Sequence, residues 1–181
     1  IGYNNVANGY KALHQNTTGY NNTANGYQAL SQNTIGYNNV ANGYKALHQN
    51  TTGFSNTANG FEALYNNSGG ANNVTNGYQA LKNNISGNGN TANGFQALLS
   101  NTGYNNTANG YQALSSNTSG TKNTAIGFEA GKTINGLNNT ICIGNGAEVT
   151  GSDMCRIGND LMKVGIGTDS PGAKLDVRGD A

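Results

Sequence analysis

His14 and His48, Cys142 and Cys155, and a few scattered carboxylates are the side chains to which metal or catalytic chemistry would first be assigned. The two histidines occupy equivalent places in duplicated segments, but the segment between them carries Ser31 there. If successive segments stack like strands, the two rings stand roughly 10 Å apart, beyond a shared ion within one chain. They read as solvated surface histidines, and only copies meeting across a symmetry axis would bring rings together. Cys142 and Cys155 precede Ile143 and Ile157 by one and two residues, so alternation along a strand turns them to opposite sides. Buried thiols are expected rather than a disulfide, and two cysteines lack zinc-ligand spacing. Gly144-Asn145-Gly146 and Gly165-Ile166-Gly167 lack the strand and long helix of a phosphate loop. Arg178-Gly179-Asp180 matches an integrin-binding tripeptide, and Asn16-Thr17-Thr18 matches a glycosylation acceptor. The latter follows from the repeat itself. No acid/base pair can be nominated. The sequence therefore predicts no enzyme, no cofactor and no metal site.

What must position any functional group is unusual in composition. Only 9% of the 181 residues are charged, 28 are glycine, one is proline, and the formal charge is +1. Hydrophobic residues make up 35%, below the roughly 45–50% of ordinary domains. Disorder normally pairs low hydrophobicity with high net charge, and that pairing is missing. No basic cluster is present to track a nucleic-acid backbone, and no run approaches the ~18 apolar residues of a membrane span. Nucleic-acid binding and membrane insertion are not expected. The chain opens in mid-pattern, which suggests a fragment of a longer protein.

Order comes from repetition. Asn8-Gly9-Tyr10-Lys11-Ala12-Leu13 returns at Asn25, Asn42, Asn59, Asn76, Asn93 and Asn109, with glycine steps of 17 residues and one of 16. Segments 1–17 and 35–51 are identical. Asn-Thr-Ala-Asn reads as a short strand closed by Asn-Gly, a dipeptide that tolerates positive φ. Tyr-x-Ala-Leu reads as one helical turn or a second short strand, and Asn-Thr-Thr-Gly as a second turn. Two turns and two short elements make one coil of a solenoid. Stacking at about 4.8 Å per coil would align Ala7, Ala12, Leu13 and part of Tyr10 into rows, and asparagines into hydrogen-bonded columns. The expected core is Ala12, Leu13, Ala29, Leu30, Ala46, Leu47, Ala63, Leu64, Ala80, Leu81, Ala97, Leu98, Ala113 and Leu114. Tyr10, Tyr27, Tyr44, Phe61, Tyr78, Phe95 and Tyr111 form a candidate row of surface-binding aromatics. Helical arrays, aspartate-rich calcium rolls and propeller blades need longer units or an aspartate in every turn, and residues 1–119 contain no aspartate.

Past residue 120 the pattern shortens and turns apolar: Asn123-Thr124-Ala125-Ile126-Gly127, then Ile141-Cys142-Ile143-Gly144, then Arg156-Ile157-Gly158-Asn159, with an Ile-Gly step of 14 residues. Three regions are expected: a 17-residue-repeat solenoid over 1–120, shorter Ile-Gly coils over 121–167, and an exit or neck segment over 168–181. The run 139–147 and Arg156-Ile157-Gly158-Asn159 resemble the head repeats of trimeric autotransporter adhesins. The run 164–179 resembles a segment that precedes a C-terminal chaperone domain in phage tail-fibre proteins, and the units of 1–130 are similar to repeats of such fibres. Asn8, Asn25 and Asn42 depart from the adhesin pattern, which has isoleucine there. In the resembling fibres Gly179 is already accounted for by a Val-x-Gly pattern.

The fold expected is therefore all-β, a β-solenoid (β-roll) of 17-residue then 14-residue coils. The resemblance implies a parallel homotrimer, and burial of one face of a thin solenoid favours the same arrangement. The expected function is a structural and adhesive fibre, a tail fibre or surface adhesin outside the cell, meeting a cell-surface receptor or glycan. The alternative is an ice- or polysaccharide-binding solenoid.

Overall fold

The computed structural model describes residues 2–178. It is all-β, with no helix among the described residues. Ten three-residue strands form one parallel sheet in chain order: β1 (Val6–Asn8), β2 (Thr23–Asn25), β3 (Val40–Asn42), β4 (Thr57–Asn59), β5 (Val74–Asn76), β6 (Thr91–Asn93), β7 (Thr107–Asn109), β8 (Thr124–Ile126), β9 (Ile141–Ile143) and β10 (Cys155–Ile157). Each strand pairs with the next in register, Ala24 beside Ala41 and Asn25 beside Asn42. The chain thus climbs one strand per coil as a β-solenoid. β11 (Val164–Ile166) and β12 (Leu175–Val177) pair in a separate parallel ribbon. The change in sequence near residue 120 does not interrupt the main sheet, since β7, β8 and β9 pair without a break.

The middle residue of each strand points inward. Ala24, Ala41, Ala58, Ala92, Ala108, Ala125 and Cys142 are fully buried, beside Ala29 to Ala130 and the leucine row from Leu30 to Leu114. Ala12 is half-buried and Ala7 exposed, because in the described chain the first coil has a neighbour on one side only. Tyr-x-Ala-Leu is neither a helical turn nor a strand. It is a pair of turns in which the second and fourth residues are left-handed, as at Gln28 (φ 55°) and Leu30 (φ 50°). A left-handed leucine is strained, and hydrogen bonds between coils over-determine it. Gln28 N–H donates to Tyr10 C=O below, and Leu30 N–H to Ala46 C=O above (2.8 and 3.0 Å). Gly43 is required for a different reason. Its φ is +135°, and a Cβ there would collide with the carbonyl of Gly60 in the next coil.

Asparagine ties the coils together. From the second coil to the seventh, one asparagine just before the strand and one after Tyr-x-Ala-Leu are completely buried, as at Asn39 and Asn50. Asn39 Nδ2 donates to Asn22 Oδ1 (3.1 Å) and to Gly53 C=O (2.9 Å), while its backbone N–H also reaches Asn22 Oδ1 (3.0 Å). Asn50 Nδ2 donates to Asn33 Oδ1 (2.7 Å) and to the same Gly53 carbonyl (3.0 Å). Both amide hydrogens of each are used, and one glycine carbonyl joins the two columns. The pattern recurs at Asn56, Asn67 and Gly70, and again at Asn73, Asn84 and Gly87. A third column on the strand face, Asn25 to Asn42 to Asn59, donates in the opposite direction along the axis.

The columns end in identifiable ways. Gly131 replaces the leucine and Ile134 the asparagine of that coil; Ile134 is buried, and it lies beside the space a Cβ on Gly131 would take. Thr140 closes the other column by donating its hydroxyl to Asn123 Oδ1 (2.8 Å). Arg156 then occupies the inward position of β10, its guanidinium held by Gly158 C=O, Glu148 C=O and Asp160. A charge pointing inward on a last strand discourages further strand addition.

Replacing Asn56 by aspartate tests the column directly. The new carboxylate still accepts from Asn73, but it faces Asn39 Oδ1 and Gly70 C=O without a hydrogen to donate. Asn56→Asp is expected to cost about 3 kcal/mol at neutral pH by urea unfolding. Protonation restores a donor, so the folded-state pKa of that group is raised and stability recovers as pH falls through it. Asn59→Asp, on the exposed column, is expected to cost under ~1 kcal/mol.

Candidate functional surface

From β1 to β8 the glycine after the strand turns the next side chain outward, and in each of these coils that residue is aromatic. Tyr10, Tyr27, Tyr44, Phe61, Tyr78, Phe95, Tyr111 and Phe128 form an unbroken column with centroids 4.9–5.2 Å apart. From Tyr27 onward neighbouring planes lie within 9° of parallel. A second, shorter column joins Tyr3, Tyr20, Tyr37 and Phe54 at 4.9–5.0 Å. It stops because the next coil carries Ala71 at that position. The rings are about half exposed, but their flat faces are turned to one another. What meets solvent is a row of ring edges and hydroxyls.

The strand face lies alongside. Its outward columns are Thr23, Val40, Thr57, Val74, Thr91, Thr107 and Thr124, and Asn25 through Asn109. From β8 onward the second column becomes aliphatic at Ile126, Ile143 and Ile157, and the first carries Ile141 between Thr124 and Cys155; the four isoleucines are 36–52% exposed.

Charge is sparse, and part of it is paired. Glu62 pairs with Lys82 (2.8 Å) and accepts from Gln79 (2.9 Å). Burial pushes its carboxyl up, but these partners outweigh that and hold it below the ordinary carboxylate range. Lys11 and Lys45 lie 5.3 Å from the centroids of Tyr10 and Tyr44.

The reactive residues read from the sequence are dispersed. His14 is exposed, whereas His48 is buried, a departure from the expected pair of solvated histidines. Stacking on Tyr65 (5.1 Å) and a contact of Nδ1 with Gln28 C=O (3.1 Å) account for it. Among the described residues no three histidine, cysteine, aspartate or glutamate side chains gather to hold a metal. Asn16, in the glycosylation match, has its amide committed to Gly19 C=O and Asn33. Of the tripeptide Arg178-Gly179-Asp180, the last two residues lie outside the described residues.

Both cysteines are free and on opposite sides of the strand. The expectation of a buried thiol holds at Cys142, beneath the sheet, and fails at Cys155, which pairs with the outward Ile141. Burial, with a smaller contribution from Glu148, pushes the Cys142 thiol up to about 11. An open cleft beside Cys155 is lined by Glu148, Val149, Thr150, Met154 and Arg156. Glu148 Oε2 is the buried side-chain oxygen there without a hydrogen-bond partner, and it has no surface for a ligand to reach.

Compared with protein-family models, curated proteins and solved structures, the chain has no match in any of the three.

Thiol titration checks the two-sided placement. One thiol per chain, Cys155, is expected to react at once with an aromatic disulfide reagent at pH 8. Cys142 is expected to react only after unfolding, since the thiolate is the nucleophile and burial disfavours it. Prompt reaction of both would contradict the buried position of Cys142.

Proposed function

We propose that this chain is a non-enzymatic segment of an adhesive fibre: an extracellular, homotrimeric rod of the tail-fibre or surface-adhesin kind that carries attachment to a cell or surface. The observation that supports this reading most is the single parallel sheet of ten strands in chain order. Each coil contacts only its neighbours, so length is added by adding coils. Such a body separates its two ends instead of enclosing a pocket. Low charge and a regular outer surface suit a spacer that also makes many weak contacts. The resemblance of 139–147 and 164–179 to adhesin heads and fibre exit segments points the same way. The receptor belongs to the class of cell-surface proteins or glycans.

The test is hydrodynamic and functional. Light scattering on the purified chain is expected to give three times 18.6 kDa, with an elongated shape in solution scattering and retention on a responsive cell surface. A compact single-chain particle that adheres to no surface would remove the reading.

Ice binding has one observation in its favour. The strand face carries regular threonine and asparagine columns, interrupted by Val40 and Val74. Thermal hysteresis in a freezing-point assay is the expected sign, and its absence removes this branch. Sugar stacking finds no comparable support, because rings stacked face to face leave a pyranose no free aromatic plane except at the ends of a column.

A further inference from the structure

Eight exposed rings and three exposed isoleucines stand as a ridge on two neighbouring columns, apart from other exposed apolar side chains such as Ile85 and Leu161. The aromatic column runs from Tyr10 to Phe128 and then stops, since Asn145 takes the next position. At that level the strand column two residues earlier changes from Asn109 to Ile126, followed by Ile143 and Ile157. Apolar exposure therefore passes from one column to its neighbour without a gap. No position on the ridge is charged.

We propose that this ridge is the face through which copies of the chain contact one another, running parallel with like coils level. The inference rests on the trimeric-fibre reading and assigns the surface that would hold the trimer together. Size is the first argument. Each ring is 38–59% exposed and the three isoleucines 36–52%. With roughly 200 Å² per large apolar side chain, the ridge presents on the order of 900 Å², against about 800 Å² per partner in a standard interface. Even with the hydroxyls of its five tyrosines set aside, this is a large apolar surface for a lone soluble chain to leave open.

Period is the second argument. Rings recurring every 4.9–5.2 Å can be met at every coil only by a surface with the same repeat, and another copy of this chain has it. Charge is the third: no ridge position is itself charged, so the like-charge contacts of a parallel assembly are limited to flanking side chains such as Lys11 and Lys45 over Tyr10 and Tyr44, at a chain charge of only +1. Three copies related by rotation about one axis necessarily run parallel.

Two measurements test the ridge. The first replaces Ile126 and Ile143 by asparagine, continuing the column that already stands at Asn25 to Asn109, so the coils keep a side chain they accommodate elsewhere. Light scattering of Ile126→Asn/Ile143→Asn is expected to fall from three times to one times 18.6 kDa, with circular dichroism and cooperative unfolding retained. The second uses Cys155, outward on β10 two residues before Ile157. Copies with coils level place their Cys155 thiols at one height, so a short bismaleimide is expected to join wild-type chains and to fail on Cys155→Ser.

A folded double variant that stays trimeric, or a reactive Cys155 that never cross-links chains, overturns the ridge while leaving the fibre standing. A wild-type chain that is monomeric overturns both. A wild-type dimer whose Cys155 thiols cross-link and whose double variant is monomeric supports the ridge and overturns the trimer. If the double variant does not fold, cross-linking at Cys155 decides alone.

Discussion

The constraint on which the rest of this molecule depends is that a buried primary amide must find partners for both hydrogens and its oxygen. Asparagine is short and stiff, so it meets that demand only if an identical group stands one coil away and a carbonyl stands beside it. Asn39, Asn50 and Gly53 satisfy it, and so do the equivalent residues of most other coils. A buried amide left unpaired costs about 1–3 kcal/mol. The columns therefore enforce register between coils far more sharply than small alanines could. They also explain why a chain with so few large apolar residues folds: apolar rows supply attraction, and amide columns supply the coil spacing.

This arrangement has a direction. Buried amides donate toward the preceding coil, and amides on the strand face donate toward the following one. Aligned amide chains polarise one another, and opposing chains partly cancel the resulting dipole along the rod. Such columns also need endings. Thr140 ends one with a hydroxyl, while Ile134 beside Gly131 ends the other by exchanging amide for aliphatic bulk. Beyond these endings the coil loses three residues, and the outward strand positions carry Ile141, Ile143, Cys155 and Ile157. The buried columns and the long coil thus end together, after which Arg156 blocks the inward face of β10.

On the outside the same repetition produces surfaces instead of sites. A column of rings at a five-ångström repeat is a consequence of stacking, as the core is, and it offers edges rather than planes. A mutation at one ring is felt as one part in several, whereas a mutation in a buried column breaks the register of everything stacked on it.

The repeat, the stacking axis, the alanine and leucine rows and the existence of asparagine columns were legible from residue types alone. A period as strict as Gly9, Gly26, Gly43 leaves a chain few ways to bury Leu13, Leu30 and Leu47 other than on one another. Tertiary structure alone decided the rest. Tyr-x-Ala-Leu contains good helix formers, yet Gln28 and Leu30 are left-handed because their N–H groups must reach opposite neighbours. His48 is buried and His14 is not, although their segments are identical, because only His48 has Tyr65 one coil above it. The rings face each other, and the sheet runs on through residue 120. Each of these outcomes depends on what stands one coil away, and a residue's own type does not carry that information.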